Sequence, residues 1–288
     1  MPTFAASPDA PQSVVVSSID TVVSRDGTRI AFERIGTGMP VIVVDAALCR
    51  RGLGPSGALA ELLAPHFTVI TYDRRGRGAS GDKPPYAIER EIEDIAALID
   101  KAGGTAYLAG TSSGAVLALD ASNRLSGVRK LAIYEPPLIL DASHPSTEQH
   151  WARIGAAVGA QDRGAAVNEF LRMVGVPTFF VRLMRLSPMW SKLKAMAHTL
   201  PYDGILLGDL QHGRPLPAQR WSSVTAPTLV MAGSKSAEWM RRGNRALSLA
   251  LPKARYRLLE GQTHNVKPKG LAPVLLAFLA ADDGFDRY

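Results

Sequence analysis

One serine set between two glycines constrains this chain more than any other feature. In Gly110-Thr111-Ser112-Ser113-Gly114 the serine follows an apolar run, Tyr107-Leu108-Ala109, and precedes another, Ala115-Val116-Leu117-Ala118-Leu119. The first run reads as the end of a buried strand, and the second continues with helical spacing. A strand that turns at once into a helix leaves no room at the bend. A Cβ at either glycine would collide with the neighbouring strand or helix. The residue at the bend is forced into a strained backbone conformation, its hydroxyl lifted above the sheet and the N–H of Ser113 facing the same space. By register Ser112 stands in the nucleophile position and Ser113 does not.

The surrounding sequence supplies the sheet that such a bend requires. Asp26-Gly27, between extended runs at 21–24 and 29–33, predicts a hairpin. Strands expected at 41–44, 68–72, 106–109 and 130–134 then alternate with helices at 56–63, 88–101 and from the bend to 122. That pattern predicts a mostly parallel sheet covered on both faces. It stops at Pro136-Pro137. Residues 138–222 are helical in pattern, punctuated by prolines and rich in Met, Phe and Trp; strands at 228–231 and 255–259 and helices at 237–249 and 271–280 follow. We expect residues 13–137 and 223–288 to form an α/β core, 138–222 a helical cap over its strand ends, and 1–12 a flexible tail. Sites in open parallel sheets sit at those strand ends.

Composition excludes several classes of function. The single cysteine, Cys49, rules out an internal disulfide framework. Residues 1–12 carry no basic segment followed by an apolar one, and no apolar run approaches the roughly 20 residues of a bilayer span. These features predict a soluble, cytoplasmic protein without membrane contact. The formal charge of +7 comes mainly from arginine, as in Arg50-Arg51, Arg74-Arg75 and Arg241-Arg242. Such pairs read as a solvated surface; attraction of an acyl-carrier protein or a carboxylate substrate is the sharper alternative. No dense basic tract interleaves with aromatics, so nucleic-acid binding has no support. No spacing suggests metal ligands, and the glycines at 76, 78 and 81 do not open a helix as a dinucleotide site requires, so no cofactor is expected.

At this point the residues resemble the α/β-hydrolase superfamily. Tyr72-Asp73-Arg74-Arg75-Gly76-Arg77-Gly78-Ala79-Ser80 is similar to the D-x-R-G-x-G-x-S loop that commonly follows the fourth strand. The stretch 110–114 resembles that family's G-x-S-x-G elbow. Pro227-Thr228-Leu229-Val230 and Gly261-Gln262-Thr263-His264 resemble the last two core strands leading to a catalytic histidine. The resemblance implies the α/β-hydrolase fold over nearly the whole chain. Serine at 112 sets it apart from halide- and epoxide-cleaving branches, which use aspartate there.

A serine hydroxyl needs a base, and His264, on a loop at the end of the late core strands, is the best placed histidine. The acid that orients it is usually found after the strand at 228–231, where this chain has Ser236. Glu135, at the end of the strand after the elbow helix, keeps the order Ser, acid, His, and the resemblance to haloalkane dehalogenases implies that an acid works from there. Glu238 and Asp209 are the alternatives. The oxyanion hole is expected from the N–H of Ser113 and that of Ala47 or Leu48. Asp45 stands where relatives have histidine, close to the site; it would act there or hydrogen-bond loop amides. Phe179, Met184 and Trp190 in the cap are candidates to line an apolar substrate site. The expected activity is hydrolysis of an ester, lactone or thioester of a mostly apolar small molecule, free or carrier-bound. A lyase, cyclase or isomerase on the same fold is the alternative, and a non-catalytic ligand receptor a third reading.

Overall fold

Strand after strand in this chain sends alternate side chains to opposite faces, and both faces are apolar. The computed structural model describes residues 19–282 apart from 143 and 218. The expected tail at 1–12 lies outside the described residues. Strands β1 (Asp20–Val23), β2 (Arg29–Ile35), β3 (Pro40–Val44), β4 (Thr68–Tyr72), β5 (Ala106–Thr111), β6 (Val128–Tyr134), β7 (Thr228–Gly233) and β8 (Ala254–Leu259) form one sheet. Their order is β1-β2-β4-β3-β5-β6-β7-β8. The hairpin β1–β2 and the β2–β4 pair are antiparallel, and every pair from β4 to β8 is parallel. This is the α/β-hydrolase fold, with β5 leading into the elbow.

Val41 and Val43 of β3 pack with helices α1 (Ser56–Leu63) and α10 (Pro268–Ala280). Ile42 and Val44 pack against the opposite layer, formed by α2 (Ile88–Lys101), α3 (Ser113–Arg124) and α9 (Glu238–Ala250). A strand buried on both sides reads as a continuous apolar run, which is why β3 and β4 were visible in the sequence. Between β6 and β7 the chain leaves the sheet for α4 (Glu148–Gly159), α5 (Arg163–Met173), α6 (Thr178–Met184), α7 (Pro188–Met196) and α8 (Leu200–Leu207), with 3-10 turns at Ala197–Thr199 and Gly208–Gln211. These inserted helices bury a core of their own, including Ile154, Val167, Leu171 and Leu200, and Leu48 from the loop after β3 joins it.

The arginines depart from the expectation of a solvated surface. Arg74, Arg75 and Arg77 are each 1% exposed. Arg74 makes a two-pronged pair with Glu91 of α2, both distances 2.7 Å. Arg75 does the same with Asp94 at 2.9 and 2.7 Å and also reaches Asp26 at 3.0 Å. Arg51 donates to Asp73 and Glu33. Glu91 and Asp94 of α2 therefore point inward, against the usual rule that helical charges face water, because guanidinium groups from the loop after β4 await them. Arg241 and Arg242, by contrast, lie at the surface.

A buried pair is costly to break because the survivor keeps its charge without its partner. Burial already pushes the Asp94 carboxyl up to about 6 despite Arg75 beside it. Arg75→Ala is expected to cost about 3–5 kcal/mol of unfolding free energy in equilibrium urea denaturation. Arg124→Ala, which removes an exposed pair with Glu89, is expected to cost less than about 1 kcal/mol.

Candidate active site

The bend after β5 has the geometry its sequence demands. Ser112 has φ 52 and ψ −123, directly before the first turn of α3. A Cβ on Gly114 would lie 2.3 Å from the carbonyl oxygen of Val44, and one on Gly110 would lie 2.5 Å from that of Gly114. Both contacts are with backbone, so no side chain can swing aside to admit a methyl group. The Ser112 N–H donates to the Tyr134 carbonyl of β6 at 2.9 Å, which ties the bend to the next strand. The N–H of Ser113 is in the first turn of α3, where no intrahelical acceptor exists.

Three of the expected residues come together. His264 Nε2 lies 3.1 Å from Ser112 Oγ, and His264 Nδ1 lies 2.8 Å from Glu135 Oε2. Glu135 is fully buried at the end of β6, while the His264 side chain is 38% exposed at the cavity. The other Glu135 oxygen, Oε1, accepts the Gly233 N–H at 2.7 Å. The end of β7, where relatives place the acid, thus supplies a backbone donor to an acid one strand away. Glu135 has φ 48, a conformation worth about 1–3 kcal/mol of strain in a non-glycine residue. The Tyr134 hydroxyl donates to the Thr263 carbonyl at 2.6 Å and steadies the loop that carries the imidazole. The alternative acids are elsewhere: Glu238 is exposed in the first turn of α9, and Asp209 is 81% exposed beside His212.

The loop after β3 differs from expectation in one respect. Asp45 is 2% exposed and does not line the cavity; its Oδ2 accepts the Ser56 hydroxyl at 2.6 Å rather than loop amides. Ala47 borders the cavity beside Ser112 and Ser113. Leu48 has φ 54 and is buried among the inserted helices. The Ala46 carbonyl accepts Arg77 Nη1 at 2.7 Å and the Cys49 N–H at 3.3 Å. In a trans peptide the C=O and the following N–H point in opposite directions, so Arg77 turns the Ala47 N–H away from itself. Arg77 is gripped in turn by Asp203 of α8 at 2.7 Å and Thr199 at 3.2 Å. The second Asp203 oxygen meets Arg74 at 2.9 Å. Sequence reasoning missed this set; its signal was three arginines placed immediately after a buried strand.

A cavity of about 340 Å³ opens above Ser112 and His264. Its far wall comes from α4, the end of α5 and the end of α8, through Trp151, Phe170, Met173 and Leu207, and α9 contributes Trp239. Phe179, Met184 and Trp190 do not line it. Phe179 is 71% exposed on the outer side of α6, Met184 packs partly buried against the insertion's core, and Trp190 borders a shallow outer depression with Gln161 and Lys194. That depression contains none of Ser112, His264 or Glu135. Helical periodicity identifies an apolar stripe but not whether the stripe faces the cavity or the outside. Among the described residues no cluster of three or more His, Cys, Asp or Glu is arranged for a metal ion.

Burial pushes the Asp45 carboxyl up to about 6, against the Ser56 hydrogen bond and the charges of Arg77 and Arg74. Burial and the Asp45 charge together push the Cys49 thiol up to about 12, so its sulfur stays protonated. A carboxyl raised from 3.8 holds its proton more tightly in the folded protein than in the unfolded chain. Its contribution to stability is present at low pH and is lost as pH rises from the unfolded value through the folded one. Between pH ~4 and ~7 the wild type is therefore expected to lose about 2–3 kcal/mol relative to Asp45→Asn, measured as paired urea unfolding curves.

A family model described as the alpha/beta hydrolase family matches residues 50–274. Among solved structures, an alpha/beta hydrolase from Sphaerobacter thermophilus DSM 20745 is 49% identical, with a TM-score of 0.82 over 90% of this chain and 100% of that one. An enol-lactonase from Burkholderia xenovorans LB400, 18% identical over 91% of this chain and 100% of that one, has a TM-score of 0.69 and is alike in fold alone. The uncharacterized hydrolase YraK of Bacillus subtilis (strain 168) is 33% identical over 125 residues, 41% of this chain. That match spans 44% of the relative's length. The family match runs through the arginine loop, the elbow, the inserted helices and the loop of His264, and the chain belongs to the alpha/beta hydrolase family.

Proposed function

We propose that this chain is a serine hydrolase that cleaves an ester, lactone or thioester of a mostly apolar small molecule. The observation that carries the reading is the continuous hydrogen-bonded chain from Ser112 through His264 to Glu135. Ser112 Oγ attacks the carbonyl carbon while its proton passes to His264 Nε2. The N–H groups of Ser113 and Ala47 receive the oxyanion; Ala47 is preferred to Leu48 because it borders the cavity and its peptide is held by Arg77. His264 returns the proton to the leaving oxygen or sulfur, and the acyl group remains on Ser112. Water then attacks the acyl carbon as its proton passes to His264, the bond to Ser112 Oγ breaks, and His264 returns the proton to Ser112 Oγ. Glu135 keeps the imidazole in the tautomer that presents an unprotonated Nε2, and stabilises the imidazolium.

The cavity supports a small, largely apolar substrate, since its volume lies at the low end for ligand sites and aromatic and Met side chains dominate its far wall. One polar group is fixed in that wall. Gln211 Oε1 accepts the Thr147 hydroxyl at 2.8 Å and the Trp151 indole N–H at 2.9 Å. Indole nitrogen only donates, so the amide orientation is set and the Gln211 NH₂ is left to meet a substrate oxygen. The lyase, cyclase or isomerase alternative draws on the missing late acid and on Asp45; Glu135 at 2.8 Å from His264 supplies an acid and supports the hydrolytic reading.

A fluorophosphonate probe is expected to label the wild type and to leave Ser112→Ala unlabelled; labelling of that variant at another residue would refute the assignment. On an aryl ester, Ser112→Ala or His264→Ala should lower kcat by about 10⁴-fold or more, and Glu135→Gln by about 10³–10⁴-fold. Glu238→Gln should leave turnover unchanged. Arg77→Met should lower kcat by about 10–10³-fold with KM little altered, because an oxyanion donor acts on the transition state and not on the bound ester.

A further inference from the structure

The outer side of the inserted helices carries a surface that the hydrolytic site does not use. Eleven large apolar side chains are exposed among the described residues, and six of them lie between 174 and 189. Phe179 is 71% exposed, Phe180 56%, Leu183 57% and Leu186 86%, flanked by Val174 and Met189. Helix α6 is fastened to the insertion's core by Val181, which is 3% exposed, and turns its aromatic and leucine side chains outward. Single exposed leucines are ordinary, but a contiguous apolar patch on one short segment marks an interaction surface.

The charges around the patch define its partner. From Phe170 to Lys194 the chain carries Arg172, Arg182, Arg185, Lys192 and Lys194 and no acidic residue. Arg172 approaches Glu169 at 3.5 Å and Arg185 lies over the Trp190 ring. Arg182 and Lys192 form no ion pair with the described residues. A second copy of this chain fits badly, since a two-fold contact would set the same arginines against each other. Exposed phenyl and leucyl groups interspersed along the chain with guanidinium and ammonium groups match the acyl boundary and phosphate layer of an anionic bilayer.

We propose that the α6 face docks this protein reversibly on an anionic phospholipid surface. Val174 belongs to the patch and also borders the cavity with Met173 and Gly175. Docking therefore sets one wall of the cavity beside the acyl layer, where an apolar ester accumulates. This orientation draws its purpose from the hydrolase reading, whereas the docking itself does not depend on it. Sequence periodicity tests for a span and is blind to such contact; no helix among the described residues is long and apolar enough to cross a membrane.

The test is flotation of the full chain with phosphatidylcholine vesicles, with and without phosphatidylglycerol, at low and high salt. Partitioning should be at least ~10-fold stronger with phosphatidylglycerol and should weaken with salt. The double variants Phe180→Asp/Leu186→Asp and Arg182→Glu/Lys192→Glu should each lose ~10-fold or more, with hydrolysis of a soluble ester in vesicle-free buffer unchanged. Wild type that stays unbound with phosphatidylglycerol overturns the proposal, as do double variants that float like wild type. A dimer in sedimentation velocity that Leu186→Asp dissociates, without vesicle binding, assigns the patch to a second copy instead. Ser112→Ala should float like wild type, so loss of the hydrolase reading and loss of the docking surface give different results.

Discussion

The Asp203 carboxylate is fully buried with two guanidinium groups against it, and much of the site hangs on that arrangement. It belongs to α8, in the inserted helices, yet its two oxygens meet Arg74 and Arg77 of the core loop after β4. Those arginines also reach the carbonyls of Asp45 and Ala46. Leaving a buried carboxylate unpaired is costly, so the pairing of both Asp203 oxygens favours one relation of insertion to core. That same relation orients the peptide beside the nucleophile. The seating of the insertion and the shape of the proposed oxyanion hole are therefore one structural fact and not two.

The acid at the end of β6 shows how much freedom the sheet allows. Neighbouring parallel strands run about 5 Å apart, so a carboxylate can approach the same imidazole from either strand end if its backbone turns suitably. Here β6 and β7 pair in register up to Tyr134 and Met231, which sets Glu135 beside the end of β7. The left-handed conformation at Glu135 is the local cost of aiming the side chain from this strand. The Gly233 N–H offsets part of it by satisfying the second oxygen. With the carboxylate on β6, Ser236 at the usual place is a small buried residue that borders the cavity.

What could be read from the sequence was what local sterics dictate. The elbow was legible because glycines flanking a serine between strand and helix allow few backbone paths. His264 was legible from its place at the end of the late strands, and Glu135 from chain order together with the resemblance to haloalkane dehalogenases, which left Glu238 and Asp209 open. The arginines were misread because charge in a sequence carries no sign of its depth: only the pairing of Arg74 and Arg75 with Glu91 and Asp94 makes their burial possible. Phe179, Met184 and Trp190 were misread for a related reason. An apolar residue on a helix of an insertion has two apolar environments to choose from, the insertion's own core and the cavity, and a third outside both. Composition cannot rank them: Trp151 and Phe170 line the cavity, whereas Phe179, Met184 and Trp190 do not.

Chemistry and selectivity consequently rest on different parts of the chain. The proposed reacting groups stand on β5, β6 and the loop after β8, where strand pairing and close glycine contacts leave the backbone little room to move. The far wall rests on helices joined by side-chain packing, where Met173 and Phe170 can be exchanged for groups of similar volume at modest cost. Replacements there alter the shape of what binds without moving Ser112 or His264. Replacements around Asp203 do the opposite: they leave the wall's composition intact and disturb the peptide proposed as the oxyanion donor. A change in substrate range along this lineage is thus expected to run through α4, α5 and α8, with the arginine loop held constant by the buried charges it must satisfy.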